Sequence, residues 1–152
     1  GLIFNCNPAV GLIGVPKKNK IFYSFGINDS YVLENKKINK LKCEKKTPKG
    51  EVHALTFRSN PTQPILSKLK EFNVTSFRKL SSSYKYCLIA NGEYDLYVDE
   101  INAKEWDDAA GHAIAESAGA IVTSLENKNF QYGKEDYKNP TILIRRSENL
   151  DV

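Results

Sequence analysis

Glu105-Trp106-Asp107-Asp108-Ala109-Ala110-Gly111-His112 is the stretch on which the reading of this chain turns. Two adjacent acids follow the opening of the clearest helix in the sequence, whose pattern continues through residue 119. Carboxylates are favoured there because the first helical turn leaves N–H groups unpaired at the positive end of the dipole. Three small residues come next. They let a helix approach another backbone closely. A glycine inside a helix costs about 1 kcal/mol against alanine, so Gly111 predicts a close contact. The acids admit two readings: capping beside a packing contact, or a carboxylate metal ligand. The stretch alone leaves both open.

Outward from this helix, strand and helix alternate. Residues 52–57 read as a strand. Residues 62–72 read as a helix, with Ile65, Leu66, Leu69 and Phe72 on one apolar face. Residues 75–80 form the next strand. Ser81-Ser82-Ser83 offers N-cap candidates for a helix through Ala90, ended by Asn91-Gly92. Strands are expected at 95–98, 120–124 and 141–145. This order predicts an α/β layer with helices covering a sheet. Thr47-Pro48-Lys49-Gly50 marks a break. Before it, residues 9–15, 20–25, 31–33 and 38–41 read as an antiparallel meander. The expected organisation is α/β: residues 1–47 ending one domain and 48–152 forming a second, in a layered sandwich whose first layer is incomplete.

A chain of 152 residues, 41% hydrophobic and 26% charged, is enough for one ordinary core. No apolar run approaches the roughly 20 residues of a membrane span, and residues 1–10 show no secretory leader. The chain contains no Met and begins with Gly1, which suggests a processed or excerpted piece. The net charge is +4, with the lysines scattered through loops; this predicts a solvated surface and no nucleic-acid partner. Cys6, Cys43 and Cys87 are odd in number and widely spaced. That pattern excludes a zinc knuckle or disulfide framework and suggests reduced thiols in a cytoplasmic protein. His53 and His112 read as structural and Cys87 as a buried hydrophobe. No spacing supports a Ser-His-Asp or Cys-His nucleophile.

Trp106-Asp107-Asp108-Ala109-Ala110-Gly111, followed by Ala113, Ile114 and Ala118-Gly119, resembles the W-D-x-A-A-G signature of the inositol monophosphatase superfamily. Ser81-Ser82-Ser83-Tyr84-Lys85-Tyr86-Cys87-Leu88, then Gly92 and Asp95-Leu96-Tyr97, resembles the S-S-x-K-x-C-L…G…D-x-Y run of its 3'(2'),5'-bisphosphate nucleotidase branch. Lys134-Glu135-Asp136-Tyr137-Lys138-Asn139-Pro140 is similar to the same branch near its C-terminus. The resemblance implies a Mg²⁺-dependent phosphomonoesterase with Asp107 as a metal ligand. It implies Ser82 and Lys85 as substrate phosphate contacts, and no catalytic residue beyond the metal ligand. Asp108 falls at the variable position of the signature, so a surface or capping place is expected for it. Trp106 is expected to be a packing anchor.

The family's E-E pair and D-P-x-D-G-T motif do not occur in this sequence. One carboxylate cannot hold two magnesium ions. The resemblance is therefore to a C-terminal half, expected to be inactive alone and to need a missing N-terminal half or a second chain. A homodimer is also compatible. Asp99 stands where nucleotidase relatives often carry Arg, and Asn60 where they often carry His. Asp beside a phosphate adds repulsion. Three functions stay open: a 3'(2'),5'-bisphosphate nucleotidase acting on adenosine 3',5'-bisphosphate, an inositol- or sugar-phosphate phosphatase, and a non-catalytic nucleotide-binding or regulatory fragment.

Overall fold

The computed structural model describes residues 1–100 and 103–150. Five strands come first: β1 (Leu2–Phe4), β2 (Asn7–Val15), β3 (Lys20–Ser24), β4 (Ser30–Glu34) and β5 (Lys37–Lys40). They pair in chain order as an antiparallel meander. A second sheet is built from β6 (His53–Thr56), β7 (Ser76–Lys79), β8 (Leu96–Asp99), β9 (Ile121–Thr123) and β10 (Ile142–Arg145). Its order is β7-β6-β8-β10-β9. There β6 runs parallel to both β7 and β8, while β10 runs antiparallel to β8 and β9. Three helices connect these strands: α1 (Gln63–Glu71), α2 (Tyr84–Ala90) and α3 (Glu105–Ser117).

Side-chain alternation along the second sheet fixes the layers. Leu55, Tyr97, Ile142 and Ile144 face α2 and α3. Ala54, Leu96, Val98 and Leu143 face Ile65 and Leu69 of α1. Phe22 and Val32 of the first sheet meet Cys87, Ala90 and Ile114 on the opposite side of the same helix pair. The stack is thus meander, α2 with α3, second sheet, α1.

The small-residue run has the physical use the sequence predicts. A Cβ at Gly111 would lie 2.2 Å from Tyr86 Cδ2, so α3 rests directly on the α2 aromatic ring. Across the helix, a Cβ at Gly11 would lie 2.1 Å from the carbonyl oxygen of Ala110, so β2 also touches α3 backbone. Asp95, fully buried, ties the layers at the turn before β8. It accepts hydrogen bonds from Arg146 Nε (2.9 Å), Thr47 Oγ1 (2.9 Å) and the His53 N–H (2.9 Å).

Most elements fall within a residue or two of expectation, with three differences. β1 was not expected. It is three residues long and turns into β2 through Asn5 and Cys6, both at positive φ (47° and 60°). The helix after the serines starts at Tyr84 and its cap, Ser83, makes no side-chain cap bond. The long helix stops at Ser117, because Gly119 adopts φ of +98° beyond its end. Among the described residues, no helix is long and apolar enough to cross a membrane.

Candidate active site

The first turn of α3 divides its acids between two environments. Asp107 is exposed. Its Oδ2 accepts the Lys104 N–H at 3.0 Å, closing a capping box, and its Oδ1 has no partner among the described residues. Asp108 is 3% exposed and fully engaged. Tyr86 Oη donates to its Oδ1 at 3.0 Å and Asn139 Nδ2 to its Oδ2 at 2.9 Å. The network continues from Lys134 Nζ to Asn139 Oδ1 (3.0 Å) and to Glu105 (2.6 Å), whose carboxylate also accepts the Gly133 and Lys134 N–H groups.

The expected surface or capping place for Asp108 is therefore corrected. It is a buried anion stitching α3 to α2 and to residue 139. Helical spacing carried this signal: Asp108, Gly111 and Ala115 recur on one face, and that face is buried. The Lys134–Asn139 segment, matched by pattern but given no role, supplies the partners.

Lys85 enters from α2. The residue is 7% exposed. Its Nζ lies 3.9 Å from Asp108 Oδ1, and 4.9 Å and 5.1 Å from the ring centres of Tyr97 and Tyr86. Burial pushes its pKa below the ordinary lysine value, and the negative charges of Asp108, Asp99 and Asp107 partly restore it. Ser82 is exposed, and its Oγ accepts the Tyr84 N–H at 3.1 Å. Ser83 Oγ donates to the Asp107 carbonyl at 3.1 Å, joining the turn before α2 to the first turn of α3. The three residues singled out by sequence, Asp107, Ser82 and Lys85, thus lie on two adjoining turns.

A cavity of about 200 Å³, lined by none of these three residues, opens at the C-terminal ends of parallel β6 and β8. Thr56, Arg58, Thr62, Asp99 and Glu100 line it. The crossover through α1 covers one face of the sheet and that through α2 the other. The strand order reverses here, which is where open α/β sheets place ligands. Asp99 is 8% exposed, and Tyr97 Oη donates to its Oδ2 at 2.9 Å. Thr62 Oγ1 donates to Glu100.

Trp106 is not a packing anchor among the described residues. It is 67% exposed, with its ring 6.1 Å from Tyr137, because it occupies the outward face of the first turn. His112 is buried and structural: its Nδ1 lies 2.9 Å from Tyr132 Oη. His53 pairs at the surface with Glu51. All three cysteines are free thiols, Cys87 buried and the Cys43 thiol pushed up to about 12 by burial.

A sequence profile described as the inositol monophosphatase family matches residues 1–151. The chain belongs to this family. The 3'(2'),5'-bisphosphate nucleotidase CysQ of Escherichia coli is 30% identical over 144 residues, which are 94% of this chain and 57% of that protein. The crystal structure of CysQ from Bacteroides thetaiotaomicron superposes with a TM-score of 0.78 at 27% identity, covering 95% of this chain and 60% of that one. A calcium-bound family protein from Staphylococcus aureus shares the fold (TM-score 0.68, 15% identity, 91% of this chain and 51% of that one). The chain therefore spans somewhat more than half the length of these family members.

A divalent ion bound by this family member would need hard oxygen ligands. Asp107 fits as one such ligand, because the residue is exposed and its Oδ1 has no partner among the described residues. It does not make a site: no cluster of three His, Cys, Asp or Glu side chains able to hold a metal occurs among the described residues.

Proposed function

We propose that this chain is the substrate-side part of a Mg²⁺-dependent phosphomonoesterase, resembling 3'(2'),5'-bisphosphate nucleotidases that remove the 3'-phosphate of adenosine 3',5'-bisphosphate. The supporting observation is the joining of two turns that carry unlike charges: Ser83 Oγ, between Ser82 and Lys85, bonds the Asp107 carbonyl, so the exposed Asp107 carboxylate and the buried Lys85 ammonium, itself set against Asp108, stand on adjoining turns. A phosphomonoester carried by a hard cation asks for this pair, an anion for the cation and a cation for the phosphate. Magnesium, when bound, would polarise the phosphoryl group and activate water. Lys85 would hold the phosphate by charge, and α2, with only seven residues, would add little dipole of its own. Ser82 would donate a hydroxyl at the mouth of the same turn. The remaining ligands would come from polypeptide outside these residues, either an N-terminal half or a second chain, with a homodimer as one arrangement.

Asp99 favours a second reading. A carboxylate at the rim of the cavity repels a second phosphate and accepts a sugar or inositol hydroxyl. The test is phosphate release with Mg²⁺, by the protein completed with the remaining metal ligands, from adenosine 3',5'-bisphosphate and from inositol 1-phosphate. Faster turnover of the nucleotide supports the first reading and faster turnover of inositol phosphate the second. Asp107→Asn is expected to abolish either activity; full activity in that variant removes its metal role. Binding of the bisphosphate by the 152-residue chain without turnover fits a part that needs completion, and equally the regulatory-fragment reading. Turnover by this chain alone contradicts both.

A further inference from the structure

One loop grips the first turn of α3 on both sides of Asp107. Residues 136–139 run back along the residues that enter the helix. The Asn139 N–H donates to the Ala103 carbonyl (2.8 Å), the Glu105 N–H to the Tyr137 carbonyl (2.8 Å) and Lys104 Nζ to the Asp136 carbonyl (2.9 Å). Ahead of Asp107, the Glu105 carboxylate accepts the Gly133 and Lys134 N–H groups at 3.0 Å each, with Lys134 Nζ 2.6 Å from its Oε1. Gly133 has φ of +87°, a conformation glycine takes without strain, and two successive N–H groups converge there on one carboxylate. After Asp107, Asn139 bonds Asp108 at 2.9 Å and accepts the same Lys134 ammonium at 3.0 Å. Capping does not call for this third acid, since Asp107 and Asp108 already lie in the first turn. A buried carboxylate is costly unless paired, and Glu105, 8% exposed, is paired by one loop alone.

We infer that Glu105 and Lys134 are positioning residues for Asp107, fixing the turn that presents its carboxylate to a divalent cation; this rests on the reading of Asp107 as a cation ligand. The Asp107 carboxylate is steadied by one bond among the described residues, from the Lys104 N–H at 3.0 Å. Its direction therefore follows the backbone of residues 104–107, which the loop holds. Helix ends fray, whereas a metal ligand must stay within about 0.5 Å of its productive place. The Glu105–Lys134 pair closes that gap from outside the turn.

The experiment compares Glu105→Gln, Lys134→Met and Lys134→Arg with the parent. In the ¹⁵N-labelled 152-residue chain, hydrogen exchange of the Lys104 amide reports its bond to Asp107, and exchange of the Leu143 and Ile144 amides reports the core. Glu105→Gln and Lys134→Met should each speed exchange at Lys104 by about threefold or more, through local opening. A merely structural role would speed the core amides and leave Lys104 unchanged. In the protein completed with the remaining metal ligands, the Mg²⁺ concentration for half-maximal phosphate release should rise about tenfold in both variants, the lower end for groups that orient a metal ligand. The substrate KM should stay near the parent value, and Lys134→Arg, which keeps the ion pair, should restore both readouts. Unchanged exchange at Lys104 would overturn the inference. So would an unchanged Mg²⁺ requirement in these variants where Asp107→Asn abolishes activity. A Mg²⁺ requirement that Asp107→Asn leaves intact would remove the ligand reading itself, and the inference with it.

Discussion

Asp107 and Asp108 are neighbours in sequence, yet they occupy different faces of one helical turn and opposite kinds of environment. The outward face carries an acid with an oxygen to spare. The inward face carries an acid with both oxygens spent on Tyr86 and Asn139 and a lysine 3.9 Å away. Adjacent helix residues point about 100° apart, so one step separates an exposed carboxylate from a buried one. The difference teaches that a signature motif can mix chemistry and architecture residue by residue, and that burial and spare hydrogen-bonding capacity tell them apart.

Four substitutions sharpen or break this comparison. Asp108→Ala should be the most damaging. It strands the Tyr86 hydroxyl, the Asn139 amide and the buried Lys85 ammonium, and breaking such a site costs about 3–5 kcal/mol. Urea unfolding would show it, and a loss under about 1 kcal/mol would mean the network is ornamental. Gly111→Ala should cost about 1–3 kcal/mol, the range for overpacking, because its methyl would press on the Tyr86 ring. A stabilised variant would mean that α2 can shift away.

Lys85→Met should destabilise less than Asp108→Ala, by about 1–2 kcal/mol, because Asp108 keeps its hydrogen bonds from Tyr86 and Asn139 when the ammonium 3.9 Å away is lost. It should weaken binding of inorganic phosphate about tenfold, or 1.4 kcal/mol. The pH dependence has a definite sign. The Lys85 pKa is lower in the folded chain, so between that value and the unfolded value of about 10.4 the unfolded state holds the extra proton. Stability of the parent relative to Lys85→Met should then rise as pH climbs through this window. Asp107→Asn should have the smallest effect on stability, below about 1 kcal/mol, because Asn also caps helices.

Much of the architecture was readable in the residues. The 3.6-residue pattern of Ile65 and Leu69 marked α1, the turn signals at residues 47–50 separated the two sheets, and Gly111 announced a close contact that Tyr86 makes. β1 was not readable, because three residues are too few to show alternation and Cys6 is an unusual residue at positive φ in a tight turn. Asp107, Lys85 and Ser82 came from family resemblance, and the fold places them on adjoining turns. Trp106 and Asp108 defy expectation through helical phase. A tryptophan suggests burial and the variable position of a signature suggests solvent, but the turn points the first outward and the second inward. The cavity beside Asp99 had no linear signal, because it forms only when β6 and β8 are brought side by side.

The measurement that most directly tests the division of labour between the two acids is paramagnetic relaxation by Mn²⁺, a hard cation suited to carboxylate and water ligands. Mn²⁺ titrated into the ¹⁵N-labelled protein completed with the remaining metal ligands should broaden amides around residues 81–85 and 104–108. That broadening should vanish in Asp107→Asn and persist in a folded Asp108→Asn. Broadening centred on another part of the chain, or unchanged by Asp107→Asn, would contradict the assignment of Asp107 as the cation ligand.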